Sequence, residues 1–176
     1  MNASMSAQSN MSTGTAAHDP ATMSSTLTWK AGMAFDAATD GFDLRLDAGA
    51  EAGGVGYGPR PKALVLTALS GCTGMDVVAI LGKMRVPLEA LVVTADGVLA
   101  ASHPRVFTHI TLAYAFTGAD LPLEKLERAV QLSLEKYCAV TAMLRPAVRI
   151  SHTIRVNGVS RLTVEDETIR YSPEPG

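Results

Sequence analysis

At 176 residues the chain has room for one domain with flanking tails. A formal net charge of −2 gives no bulk attraction to nucleic acid or an anionic membrane. Two cysteines are too few for a secreted disulfide framework. No basic start leads into an apolar run, so no signal peptide is expected and a reducing cytoplasm is the expected compartment. A disulfide there would be transient, and catalytic or redox-sensing.

Residues 1–25 are dominated by Ser, Thr, Ala, Met and Asn and contain no Lys or Arg. Such a segment cannot bury enough apolar surface to offset its ordering entropy, so a disordered tail is expected there. A domain should then run over 26–166, with a second short tail at 167–176. Leu27 to Lys30 and Met33 to Ala38 alternate as short strands. Thr39-Asp40-Gly41 is a turn signal. Phe42, Leu44 and Leu46 then alternate with Asp43, Arg45 and Asp47 as a half-buried strand, completing a meander of three. Residues 48–59 are a glycine-rich stretch, expected to be a flexible connection. It lacks the G-x-x-x-x-G-K-[ST] spacing of a phosphate-binding loop.

Pro61 suits a first helical turn and opens a long helix to about Met84. Ala63 to Leu69 is apolar almost all round, so the helix should be buried on more than one side. Gly71, Gly74 and Asp76 interrupt the run before the ~20 apolar residues a bilayer requires, which argues against a membrane span. Leu88 to Leu99 reads as a strand, with a bulge signalled at Gly97. Val106 to Phe116 is the clearest strand: Ile110, Leu112, Tyr114 and Phe116 share one face, opposite Phe107, His109, Thr111, Ala113 and Ala115. Asp120 is the candidate N-cap of a second helix. Leu123, Leu126, Val130, Leu134 and Tyr137 recur on its apolar side, Cys138 joins them, and the element stops at Arg145-Pro146. Val148 to Val156 alternates, Asn157-Gly158 is a hairpin signal, and Val159 to Val164 returns.

Antiparallel groups of strands separated by single helices argue for an α+β fold. A helix apolar on all sides needs more cover than one small sheet supplies. A second copy of the chain would supply it, so a homodimer is expected.

Both cysteines fall in segments that read as helix. Cys72 lies in Ser70-Gly71-Cys72-Thr73-Gly74, where small or hydroxylated neighbours leave space beside the sulfur. Cys138 begins a similar run, Cys138-Ala139-Val140-Thr141-Ala142. Two inert core thiols are one reading. The other is a reactive pair, if opposed helix faces bring the Cα atoms to the ~5.5 Å a disulfide needs. His103, His109 and His152 lack metal-ligand spacing and read as turn and strand residues, so no metal is expected.

Several separated motifs, in order, resemble those of the OsmC/Ohr family, the osmotically induced and organic hydroperoxide resistance proteins. Around the first cysteine they are Gly58-Pro59-Arg60-Pro61, Leu64, Ala68 and Gly71-Cys72-Thr73. Cys72-Thr73-Gly74-Met75-Asp76-Val77-Val78 with Lys83-Met84-Arg85, and His103-Pro104-Arg105-Val106-Phe107-Thr108, resemble the OsmC-like branch. Glu135-Lys136-Tyr137-Cys138-Ala139-Val140 resembles the second cysteine motif. The resemblance covers roughly residues 26–156. It implies an intertwined α+β homodimer, with antiparallel sheets around a long buried helix, and a thiol-dependent peroxidase for organic hydroperoxides. Cys72 would be peroxidatic and Cys138 resolving. An external dithiol such as a lipoyl group would reset the pair, with no bound cofactor. The family's Glu after the proline is replaced here by Lys62, or by Ala63 one position on, and its activating Arg has no clear counterpart near Lys30 to Gly32. A non-enzymatic OsmC-fold stress or small-molecule-binding protein with redox-sensitive thiols is the alternative.

Overall fold

The computed structural model describes residues 22–164. The expected tails lie outside them, apart from residues 22–25. Contacts divide the chain into two units, one through Pro59 and one from Arg60 onward.

The first unit is the expected meander. Strands β1 (Ser25–Ala31), β2 (Ala34–Thr39) and β3 (Phe42–Leu46) pair antiparallel in sequence order. Its apolar side chains are covered unevenly. Ala34, Ala37 and Leu46 are buried, whereas Leu27, Trp29, Phe42 and Leu44 are exposed. The half-buried pattern expected for β3 therefore holds only at Leu46. Residues 48–59 are better ordered than a flexible connection. The Asp47 carboxylate accepts the backbone N–H groups of Ala48 (2.8 Å), Val55 (2.8 Å) and Tyr57 (2.9 Å). The Tyr57 hydroxyl donates to Asp36 at 2.6 Å. Those three N–H donors hold the Asp47 carboxyl below its usual pKa range.

The second unit begins with helix α1 (Pro61–Lys83), with proline in its first turn as expected. Strands β4 (Ala90–Leu99), β5 (Phe107–Thr117), β6 (Arg149–Val156) and β7 (Val159–Val164) form a sheet in the order β4-β5-β6-β7. Three helical pieces lie between β5 and β6: α2 (Leu123–Leu132), a π turn (Ser133–Tyr137) and α3 (Ala139–Leu144). The fold is α+β, with antiparallel pairing except between β5 and β6, which run parallel. A parallel pair needs a crossover, and α2 and α3 provide it. Asn157 and Gly158 both take positive φ (50° and 80°), the geometry of a tight hairpin whose twist matches its strands.

The alternation of β5 sets the core. Ile110, Leu112, Tyr114 and Phe116 are all essentially inaccessible and cluster with Leu69, Val77 and Leu81 of α1 and Leu126, Ala129 and Val130 of α2. Each such Leu, Ile or Val stabilises the fold by about 1.5–3 kcal/mol relative to exposure. By length and composition α1 could cross a bilayer. Here it buries one stripe, Leu69, Thr73, Val77 and Leu81, four residues apart. On the opposite side Met75 is 71% and Val78 51% exposed among the described residues. Burial on more than one side is thus not met within the described part of the second unit, whose sheet and helical pieces bury one stripe of the helix.

Two local expectations are corrected. Asp120 does not cap α2; it takes φ 50° in the preceding turn, whereas an N-cap has extended backbone, and Pro122 holds that position. The irregularity in β4 falls between Val98 and Leu99 rather than at Gly97. Gly97 instead makes room for the Phe107 ring, which a Cβ there would strike.

Candidate active site

Cys72 and Asp76 are one turn apart on α1 and so share a face. Cys138 reaches them from a break in the second helical region. Its N–H donates to the Ser133 carbonyl at 2.8 Å, five residues back, closing the π turn. Its backbone then leaves helical conformation (φ −70°, ψ 103°), and α3 begins at Ala139. This corrects the sequence expectation of one helix running through Cys138 to Arg145. Apolar spacing does not register a widened turn, since the side chains on either side still meet the core.

The Sγ of Cys72, the Sγ of Cys138 and a carboxylate oxygen of Asp76 all lie within 4.8 Å of one another. Among the described residues no other three His, Cys, Asp or Glu side chains gather their ligand atoms this closely. Both cysteines are free thiols, Cys72 partly exposed and Cys138 3% exposed. A disulfide bond would close that separation to ~2.05 Å.

Cys138 caps α3, its sulfur accepting the Thr141 N–H at 3.4 Å. Burial pushes its thiol pKa up; the Thr141 hydroxyl opposes the rise, and the neighbouring Cys72 adds to it. Among the described residues that fully buried Thr141 hydroxyl has no other hydrogen-bond partner.

Asp76 is tied to the core by hydroxyl groups. The Ser133 hydroxyl lies 3.0 Å from Asp76 Oδ2 and 2.9 Å from Thr73 Oγ1. Thr73 Oγ1 is 2.6 Å from the Tyr114 hydroxyl. Each hydroxyl has one hydrogen to give. Ser133 is the donor toward both Thr73 and the carboxylate, so its one hydrogen is shared between them, while Tyr114 can donate to Thr73. Burial pushes the Tyr114 phenol well above its ordinary pKa, so it keeps the proton it donates. A cavity of about 360 Å³ opens beside Asp76, walled also by Ile80, Lys83, Leu132 and Tyr137.

The remaining candidates are engaged elsewhere. Lys62 donates to the Arg105 carbonyl at 3.1 Å. His109 Nε2 lies 2.7 Å from the Ser151 hydroxyl, and His152 meets the Tyr114 ring edge-on. Sequence reasoning missed Ser133, Thr141 and Tyr114 as parts of the site. Asp76, four residues past Cys72, was the available signal, because that spacing already places a carboxylate beside the sulfur.

The family model described as OsmC-like protein matches residues 53–153. Protein YhfA of Escherichia coli K12 is 44% identical over 98 residues, 56% of this chain and 73% of its own. Among solved structures, a hypothetical protein from Aquifex aeolicus VF5 is 27% identical with a TM-score of 0.67, covering 77% of this chain and 98% of the other. An organic hydroperoxide resistance protein OsmC from Legionella pneumophila has a TM-score of 0.61 over 77% of this chain and 97% of its own; at 22% identity it shares the fold.

Proposed function

The chain belongs to the OsmC-like protein family, and from that premise we propose that it is a thiol-dependent peroxidase reducing organic hydroperoxides through Cys72 and Cys138. The observation that carries this reading is the approach of the two sulfurs, within 4.8 Å, from segments distant in sequence. The name of the Legionella pneumophila neighbour supports the substrate class.

Cys72 is the sulfur with access to solvent, so it meets the peroxide. Its thiolate attacks the terminal oxygen, the O–O bond breaks, and the leaving alkoxide takes a proton to become an alcohol. Cys72 is left as a sulfenic acid. Cys138 then attacks that sulfur; an S–S bond forms and the hydroxyl group departs as water. Asp76 sits where it can take the Cys138 proton as the attack proceeds, which matters because burial disfavours the free thiolate. The two thiols lose two electrons and the peroxide gains them. An external dithiol, such as a lipoyl group, restores the pair by exchange in a reducing cytoplasm.

The working unit in this reading is a homodimer. A groove of about 580 Å³, lined by Gly71, Gly74, Met75 and Val78 of α1 and Leu91 and Val93 of β4, stands open along an edge strand. A second copy would cover it.

Reduced protein treated with cumene hydroperoxide tests the activity. Rapid loss of two thiols per chain, abolished by Cys72→Ser, supports it. Thiol loss no faster than that of free cysteine supports the second reading, an OsmC-fold binding protein with redox-sensitive thiols. The specific observation in favour of that second reading is that Lys62 is held by the Arg105 carbonyl while burial raises the Cys138 pKa.

A further inference from the structure

We propose that the reduced site binds one thiophilic divalent cation per chain, Zn²⁺ being the best match, through Cys72 Sγ, Cys138 Sγ and an Asp76 carboxylate oxygen. In a tetrahedral zinc site, with Zn–S of ~2.3 Å and Zn–O of ~2.0–2.2 Å, neighbouring ligand atoms stand ~3.5–3.8 Å apart. Here the three atoms already lie within 4.8 Å of one another. Drawing them inward by about 1 Å completes three corners. Two sulfurs and one oxygen select a borderline-soft ion over Mg²⁺ or Ca²⁺, which take all-oxygen sites.

The surroundings also suit a cation. Ser133 donates to Asp76 Oδ2, orienting the carboxylate without using its other oxygen. Thr141 points its N–H at the Cys138 sulfur. Among the described residues the fully buried Thr141 hydroxyl has no strong acceptor, only the neighbouring Cys138 thiol. A metal-bound thiolate, a far stronger acceptor than a neutral thiol, would strengthen that contact. Partial exposure of Cys72 leaves an entry path, and the fourth coordination position falls to solvent. Binding releases both thiol protons to solvent, so affinity falls as pH is lowered.

The cation and the disulfide need the same sulfur lone pairs and therefore exclude each other. That a bound cation would silence peroxide reduction rests on the proposed function above; binding itself rests on the site geometry alone.

The test is a titration of fully reduced, oxygen-free protein with Co²⁺, followed by Zn²⁺. The expected result is a thiolate-to-cobalt charge-transfer band that saturates at one equivalent per chain and is displaced by Zn²⁺. Alkylating both thiols of the natural chain abolishes it, a control that needs no substitution to fold. Asp76→Asn, shown folded by circular dichroism, weakens binding by at least ~10-fold. No band with reduced, folded protein overturns the inference. So does unchanged affinity in folded Asp76→Asn, or saturation at one equivalent per two chains. No peroxide enters this measurement. Cobalt binding without peroxide turnover sinks only the peroxidase reading, and turnover without cobalt binding sinks only the metal site.

Discussion

Ser133 donates its hydroxyl hydrogen to Asp76 over 3.0 Å although 57 positions separate the two in sequence. The π turn brings Ser133 to α1, and the bond fixes the carboxylate beside both sulfurs. Ser133→Ala should cost about 1–3 kcal/mol of stability, because it leaves buried polar groups unsatisfied. A denaturant midpoint that falls at unchanged slope would register this. No change in midpoint would mean that water replaces the hydroxyl without loss.

The proposed division of the chemistry between two sulfurs makes their variants unequal. Cys138→Ser should leave the first oxidation intact and let a sulfenic acid build up at Cys72, trappable by a carbon nucleophile and visible by mass spectrometry. Cys72→Ser should give no adduct. The reverse pattern would exchange the two roles.

His152 carries a pH dependence. Burial lowers its pKa below the ordinary imidazole value of 6.5, so the folded chain resists a proton that the unfolded chain accepts. The unfolded state then binds more protons below that value. Stability should be fully expressed above pH about 6.5 and decline as the pH falls below it. Urea midpoints measured across that window should slope for the natural chain and flatten in His152→Gln. Asp47, whose carboxyl pKa is lowered from 3.8, acts in a separate and more acidic window: its contribution is present above that value and lost as pH falls beneath it.

The uncovered side of α1 predicts assembly. Val78 is 51% exposed beside Met75 on a helix whose other stripe is core. Val78→Asp should shift sedimentation from dimer to monomer, because burying an unpaired carboxylate costs several kcal/mol. A natural chain that sediments as a stable monomer at micromolar concentration would contradict the dimer.

The strand whose even positions face the core was legible because periodicity reports directly which side is buried, whereas the meander and the long helix opened by Pro61 were legible as elements, from turn residues and proline, and not in which of their faces are covered. Ile110, Leu112, Tyr114 and Phe116 are the plainest case. Asp120 was illegible as a turn residue, since Asp both caps helices and tolerates positive φ, and side-chain chemistry does not separate the two. The break before Cys138 depends on a backbone bond reaching back five residues, which leaves no trace in apolar spacing. Asp47 was read only as the polar side of a strand, yet its three N–H contacts order the residues that follow. For the site itself, the two cysteines stood out by residue type. The hydroxyl chain behind Asp76 did not, because Ser and Thr are common everywhere and gain meaning only when tertiary structure aligns them.

The interruption at Cys138 also sets the mechanical cost of moving its sulfur. The backbone N–H and carbonyl there already serve the π turn and the first turn of α3. A swing of the side chain toward Cys72 therefore forfeits only its weak contacts with Thr141 and leaves the backbone bonds of both neighbouring helices in place. In the proposed cycle, linkage and release of the two sulfurs would leave that frame folded throughout.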